Sequence, residues 1–172
     1  LISCHHDYRP LVVDFLAGSN WHRYRYGGGK NQLLAKACGL KSQPNPTILD
    51  LTGGLARDAF VLACLGAQVT VLERNPVLAT LVADGLKRAF ADGTLAHIHL
   101  RLVWTDAKDY LIQSHHDKPA IVYLDPMYPH RQKSALVKKE MRILRDLVGD
   151  DRDSAQLFDY ALTHARKRVV IK

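Results

Sequence analysis

The 172-residue sequence predicts an α/β fold, a mostly parallel sheet with helices on both faces. Three observations carry the prediction. From Thr47 onward, short apolar runs alternate with stretches of helical periodicity. The runs beginning at Thr47, Gln68, Ile98, Ala120 and Arg168 are nearly continuous, as expected of strands covered on both sides. Acids stand at the ends of the first four, Asp50, Glu73, Asp106 and Asp125, where open α/β sheets bind ligands.

The elements follow in order. Residues 1–46 read as an N-terminal arm and residues 47–172 as the core. In the arm, Leu11–Leu16 has the pattern of a strand and Gly18-Ser19-Asn20 that of a turn. Trp21-His22-Arg23-Tyr24-Arg25-Tyr26 interleaves rings and cations, which suits nucleic acid and equally suits a hairpin with alternating faces. Gly27-Gly28-Gly29-Lys30 is not a phosphate-binding P-loop, because Asn31 follows the lysine and Tyr24 holds the first glycine position. Asn31–Ala37 is expected to form a short helix, and Pro44-Asn45-Pro46 ends the arm.

In the core, Thr47–Leu51 is the first strand, Thr52-Gly53-Gly54 a tight turn, and Arg57–Leu65 a helix ending at Gly66. Gln68–Leu72 is the second strand, closed by Glu73. Asn75-Pro76 opens a helix whose apolar positions are Leu78, Leu81, Val82, Leu86 and Ala89, ending at Asp92-Gly93. Strands Ile98–Trp104 and Ala120–Leu124 flank a helix at Ala107–Gln113. Ser134 caps a helix through Val148 with Val137, Met141, Leu144 and Val148 as its apolar stripe. Ser154–Lys167 is a last helix, and Arg168–Ile171 the fifth strand.

A 47% hydrophobic fraction and 24% charged fraction are those of an ordinary globule. The net charge of +7 suits a polyanionic partner. Cys4, Cys38 and Cys64 are odd in number and show no metal or disulfide spacing, which fits a reducing cytoplasm. No apolar run reaches the roughly 18 residues of a membrane helix, and no signal peptide is expected. His5-His6 and His115-His116 lack Cys or Glu partners, so no metal is assigned.

Asp50, Gly53 and Glu73 have the spacing of a nucleoside-binding βαβ unit: a glycine turn, then an acid that accepts hydrogen bonds from ribose hydroxyls. The dinucleotide fingerprint is absent, and Asp58 in the first helical turn disfavours a pyrophosphate. S-adenosylmethionine needs no phosphate site, and its amino group and sulfonium favour carboxylates. Asp106 stands where an acid meets an adenine amino group. The stretch Val122–Arg131 then places Asp125 on a turn stiffened by Pro126 and Pro129.

The order Asp50, Glu73, Asp106, Asp125-Pro126-Met127-Tyr128 resembles a class I S-adenosylmethionine-dependent methyltransferase of the amino-methylating kind. More narrowly, Gly27–Lys30, Asp50–Asp58, Leu72-Glu73-Arg74 and Tyr123–Arg142 resemble the RsmJ family, bacterial 16S ribosomal RNA guanine-N2 methyltransferases. The resemblance covers most of residues 10–172. It implies a Rossmann-like fold that normally carries two more strands, so the chain is expected to be truncated after the fifth strand and to lack N-terminal residues as well.

What the resemblance implies about residues is specific. S-adenosylmethionine is expected to contact Asp50, Gly53, Arg57, Asp58, Glu73, Arg74, Asp106, Ala107 and Asp125. Thr105–Lys108 departs from the small hydroxyl-rich loop of the family, and Ala56 replaces its glycine, which tightens the turn. Asp125, Pro126 and Tyr128 are the catalytic candidates, two to orient an amine and one to stack on an extruded base. His130, Arg131, Lys133, Lys138 and Lys139 are expected to hold RNA phosphates, the partner being ribosomal RNA or the small ribosomal subunit. Two other readings stay open: an adenine-N6 or other amino-methylating nucleic-acid enzyme, and a basic RNA-binding domain of the same fold without catalysis. A nicotinamide dehydrogenase is disfavoured by the missing glycine fingerprint.

Overall fold

The computed structural model describes residues 11–91, 93–113, 117–126 and 154–172. Five strands, β1 (Thr47–Asp50), β2 (Gln68–Glu73), β3 (His99–Trp104), β4 (Ile121–Leu124) and β5 (Arg168–Ile171), form one sheet in the order β3-β2-β1-β4-β5. Every pairing is parallel. The chain works outward from β1 through β2 to β3, then crosses back to β4. The strand ends therefore part between β1 and β4, the switch point where such sheets leave a crevice.

Alternation along the strands builds two cores, as a sheet buried on both faces requires. Ile48, Val69, Val71, Ile121 and Tyr123 face one side, where they meet Ala59 and Phe60 of α3 (Arg57–Cys64) and Leu78, Leu81, Val82, Leu86 and Ala89 of α4 (Pro76–Ala91). Leu49, Leu72, Val122 and Leu124 face the other, against Ala107 and Leu111 of α5 (Ala107–Gln113) and Leu157 and Ala161 of α6 (Ser154–His164). Asn75 caps α4 as its sequence predicts: its Oδ1 accepts the N–H groups of Val77 at 2.9 Å and Leu78 at 3.2 Å.

The first segment differs from the sequence expectation. Leu11–Leu16 is not a strand. Its period-two pattern is real, since Val13 and Phe15 are buried, but they dock onto helices. Phe15 stacks on Phe60 at 4.9 Å, the Val13 carbonyl accepts from Arg88 Nη2 at 2.6 Å, and Asp14 turns back onto the Leu16 N–H. Those bonds take the backbone groups a sheet ladder would need. Nor is there a turn at Gly18 followed by a hairpin: Gly18–Tyr26 is one helix, α1. Helical spacing brings Trp21 to Tyr24 and His22 to Tyr26, with ring centroids 5.5 Å and 4.9 Å apart.

A 3-10 turn at Gly29–Asn31 leads into α2 (Leu33–Ala37), so the helix predicted from Asn31 begins two residues later. Leu34, Ala35, Cys38 and Leu40 join the first core. Helix α6 stops at His164 and not at Lys167, because the N–H groups of Arg166 and Lys167 turn to the carbonyls of Pro119 and Ala120 and launch β5. The helix expected from Ser134 to Val148 lies outside the described residues.

Candidate active site

The loop after β1 is pressed against β2. A Cβ on Gly53 would stand 2.6 Å from Val71 Cγ1 and 2.7 Å from the Leu72 carbonyl oxygen, so only glycine lets the backbone lie this close. The Gly53 N–H bonds to that same carbonyl at 2.9 Å. Gly54 follows with φ +53°, and Ala56 holds φ +54°, ψ 29° just before α3. Alanine in the left-handed region costs about 1–2 kcal/mol. A glycine there would avoid that cost.

Glu73 ties this loop to the next one. Its Oε2 accepts the Gly54 N–H at 2.6 Å and its Oε1 the Asn75 N–H at 2.7 Å, and the residue is buried. Asp106 in turn accepts the Lys108 N–H at 2.8 Å, and its other oxygen lies 3.8 Å from Arg74. At β4, the Asp125 N–H donates to Thr52 Oγ1 at 2.7 Å, while the Thr52 N–H donates to Asp50 Oδ1 at 3.0 Å. Asp50 and Asp125, on neighbouring strands, are thus joined through one threonine. Burial pushes the Asp50 carboxyl up to about 7, and the nearby charges of Asp58 and Asp125 add to the rise.

A second network lies behind these loops. Asp58, buried in the first turn of α3, receives Tyr123 Oη at 2.5 Å, Arg23 Nη1 at 2.5 Å and Lys172 Nζ at 2.9 Å. Burial alone would raise its pKa. The bonds from Tyr123, Lys172 and Arg23 outweigh it and hold the carboxyl below its ordinary value. Burial, with the bond to Asp58, pushes the Tyr123 phenol well up. Lys172 also donates to Asp125 Oδ2 at 2.9 Å. Its burial works against the ammonium, but the two carboxylates prevail and raise its pKa.

A cavity of about 420 Å³ opens between these loops, within the range of small-molecule sites. Asp50, Gly53, Arg57, Asp58, Glu73, Arg74, Asp106, Ala107 and Asp125 all line it. Pro126 is buried directly beyond Asp125. Tyr128, His130, Arg131, Lys133, Lys138 and Lys139 lie outside the described residues. Sequence reasoning did not place Arg23, Thr52, Tyr123 or Lys172 at the site, and all four also line the cavity. A tyrosine inside the otherwise aliphatic run of β4 and a lysine closing the apolar run of β5 were the available signals. Among the described residues no group of three or more His, Cys, Asp or Glu is placed to hold a metal, and no helix is long and apolar enough to cross a membrane.

The cradle fits S-adenosylmethionine. The Gly53 turn admits a ligand against bare backbone, and the wall offers carboxylates to a cationic ligand. A parallel sheet in this strand order, with acids at successive strand ends around a glycine turn, is the arrangement of a class I methyltransferase. The family model described as "Putative SAM-dependent methyltransferase" matches residues 3–172, and the chain belongs to that family.

Ribosomal RNA small subunit methyltransferase J from Coxiella burnetii is 56% identical over 165 residues, covering 95% of this chain and 64% of the relative. The protein of the same name from Shewanella amazonensis is 52% identical, covering 94% and 66%. These relatives bear out the resemblance to the RsmJ family, and the chain spans about two thirds of their length. The crystal structure of a SAM-dependent methyltransferase from Neisseria gonorrhoeae superposes with a TM-score of 0.69 at 36% identity, covering 96% of this chain and 64% of that one. A Thermus thermophilus 16S rRNA N2 G1207 methyltransferase, solved with AdoMet and guanosine, shares the fold at a TM-score of 0.51 and 19% identity, covering 78% of this chain and 31% of that one.

Proposed function

We propose that the protein transfers a methyl group from S-adenosylmethionine to the exocyclic N2 of a guanine in small-subunit ribosomal RNA, in the cytoplasm. The observation that carries this reading is the setting of Asp125. It stands at the switch point of the sheet with its N–H held by Thr52 and its Oδ2 by Lys172, while no hydrogen bond to its Oδ1 is formed among the described residues.

Asp50, Asp106 and Glu73 are the residues to hold the cofactor, with Arg57, Arg74, Gly53 and Ala107 shaping its bed. The N–H groups of Gly54 and Asn75 fix the Glu73 carboxylate at the end of β2, where it is the acid to receive the ribose hydroxyls. Asp58, with Arg23, Tyr123 and Lys172 around it, serves the bed by fixing its back wall. Bound there, S-adenosylmethionine supplies an electrophilic methyl on a sulfonium.

The guanine amine is a weak nucleophile because its lone pair is delocalised into the ring. Asp125 Oδ1 and the Pro126 carbonyl accept its two N–H groups and turn the lone pair toward the methyl-donor side of the cavity. The amine gives up one proton as its new bond to carbon forms, and Asp125, already bonded to that N–H, is the nearest acceptor. Lys172 holds Asp125 Oδ2 in place until then. Tyr128 stacks on the extruded base, and His130, Arg131, Lys133, Lys138 and Lys139 hold phosphates of the RNA or of the assembled small subunit.

The test is Asp125→Ala, with methyl transfer to 16S rRNA and cofactor affinity measured separately. Transfer should collapse while S-adenosylmethionine still binds; wild-type turnover would remove Asp125 from the mechanism. Digesting the product distinguishes N2-methylguanosine from a methylated adenine, which would show an adenine-N6 enzyme instead.

A further inference from the structure

Helix α1 has no buried residue, yet it carries six aromatic or basic side chains in a row. At about 100° per residue its surface divides into three stripes. Ser19, Asn20 and Arg23 border the cavity. Trp21 packs partly against the first core with Tyr24 beside it. His22, Arg25 and Tyr26 form the third stripe, and all three are exposed. Tyr26 lies about 60° around the helix from Arg23, so this stripe adjoins the cavity edge.

The exposed stripe is already ordered. His22 and Tyr26 pack ring to ring at 4.9 Å, and the Arg25 guanidinium lies 5.6 Å from the Trp21 ring centroid. Tyr26 nevertheless keeps 73% of its surface open. From Gly18 to Lys41 the chain has no acid and five Lys or Arg. Aromatic faces set among cations, with no carboxylate in the segment, suit stacked bases and phosphates better than an acid-bearing protein surface.

We propose that the His22–Arg25–Tyr26 face of α1 binds the unpaired RNA flanking the guanine that enters the cavity. Tyr26 stacks on a neighbouring base, and Arg25 meets a phosphate of the same strand. The inference rests on the methyl-transfer reading above.

The experiment compares wild type, Tyr26→Ala and Arg25→Glu, all on exposed positions, for affinity to a short fluorescent single-stranded RNA containing one guanine, across a range of salt. S-adenosylmethionine affinity by calorimetry and transfer to the small ribosomal subunit are measured in parallel. Tyr26→Ala should weaken RNA binding at least about fivefold, the loss of one stacked base. Arg25→Glu should flatten the slope of log affinity against log salt by about 0.7 or more. Both should leave cofactor affinity unchanged.

Variants that bind this RNA like wild type overturn the inference, and do so even if subunit binding falls, because the face would then dock a protein. A parallel loss of cofactor affinity also overturns it, in favour of a structural role for α1. Wild type that binds RNA but places no methyl on guanine N2 overturns the methyl-transfer reading itself, whatever the variants do.

Discussion

Lys172 Nζ stands 2.9 Å from Asp125 Oδ2 and 2.9 Å from Asp58 Oδ2, so one ammonium bridges the motif acid after β4 and the buried acid of α3. Asp58 has Arg23 and Tyr123 in reserve, whereas Asp125 has Lys172 as its sole charged partner among the described residues.

Lys172→Met should therefore affect chemistry more than folding. A hydrogen bond to a charged group contributes about 1.5–3 kcal/mol, and the half-exposed position of Lys172 puts it at or below the low end of that range. Single-turnover methyl transfer at saturating cofactor should fall on the order of tenfold, with Lys172→Arg retaining most of the rate. An unchanged rate in the methionine variant would make Lys172 a bystander.

Asp50→Asn should stabilise the protein at neutral pH. The folded pKa of Asp50, about 7, lies above its unfolded value of about 3.9. Between these values the folded state binds the extra proton, so this group's contribution falls as pH rises and its penalty is complete above the folded pKa. Asp58 works the other way: its stabilisation is present above the unfolded pKa and lost as pH falls through its depressed folded value. Asparagine keeps an oxygen for the Thr52 N–H. Tm at pH 8 should rise on the order of 5 °C over wild type, with the gap closing toward pH 4. A constant gap at all pH values would show that Asp50 does not titrate there.

Ala56→Gly should also raise Tm. Releasing a left-handed alanine recovers about 1 kcal/mol, or about 2–4 °C for a chain of this size. Calorimetric unfolding reads this directly, and a lower Tm would mean that the Cβ of Ala56, which is buried, packs better than it strains.

Gly53→Ala should do the opposite. Its Cβ meets backbone oxygen and a packed valine, so the loop must lift off β2, at about 1–3 kcal/mol. Because the same lift disturbs the Gly54–Glu73 bond, the thermal shift produced by S-adenosylmethionine should shrink along with the basal Tm. A full cofactor shift would separate the turn from the binding site.

The fold was legible because its signals are local and mutually consistent. Apolar runs closed by acids marked β1, β2 and β4, and the Asn75-Pro76 pair marked the start of α4 to the residue. Strand ends in a parallel sheet point to one edge, which gathers Asp50, Glu73, Asp106 and Asp125, whereas Arg57, Asp58 and Arg74 rest on the family resemblance. What escaped was long-range. Arg23, Tyr123 and Lys172 meet at Asp58 from separations of 35, 65 and 114 residues, and the local oddity of a tyrosine in β4 or a lysine after β5 does not say which partner it meets. The α1 misreading has a different cause. Alternating aromatic and basic residues have strand period, but ring pairs at helical spacing and packing against α3 favour the helix.

The wide separations at Asp58 also set a timetable. During synthesis Asp58 leaves the ribosome with Arg23 already made, but Tyr123 and then Lys172 emerge much later. A nascent chain that has formed β1, β2 and α3 holds a carboxylate whose compensating cations are incomplete. Methyl-donor binding and protection of the Asp58 region from proteolysis should therefore appear late and together, when β5 docks beside β4 and carries Lys172 into place.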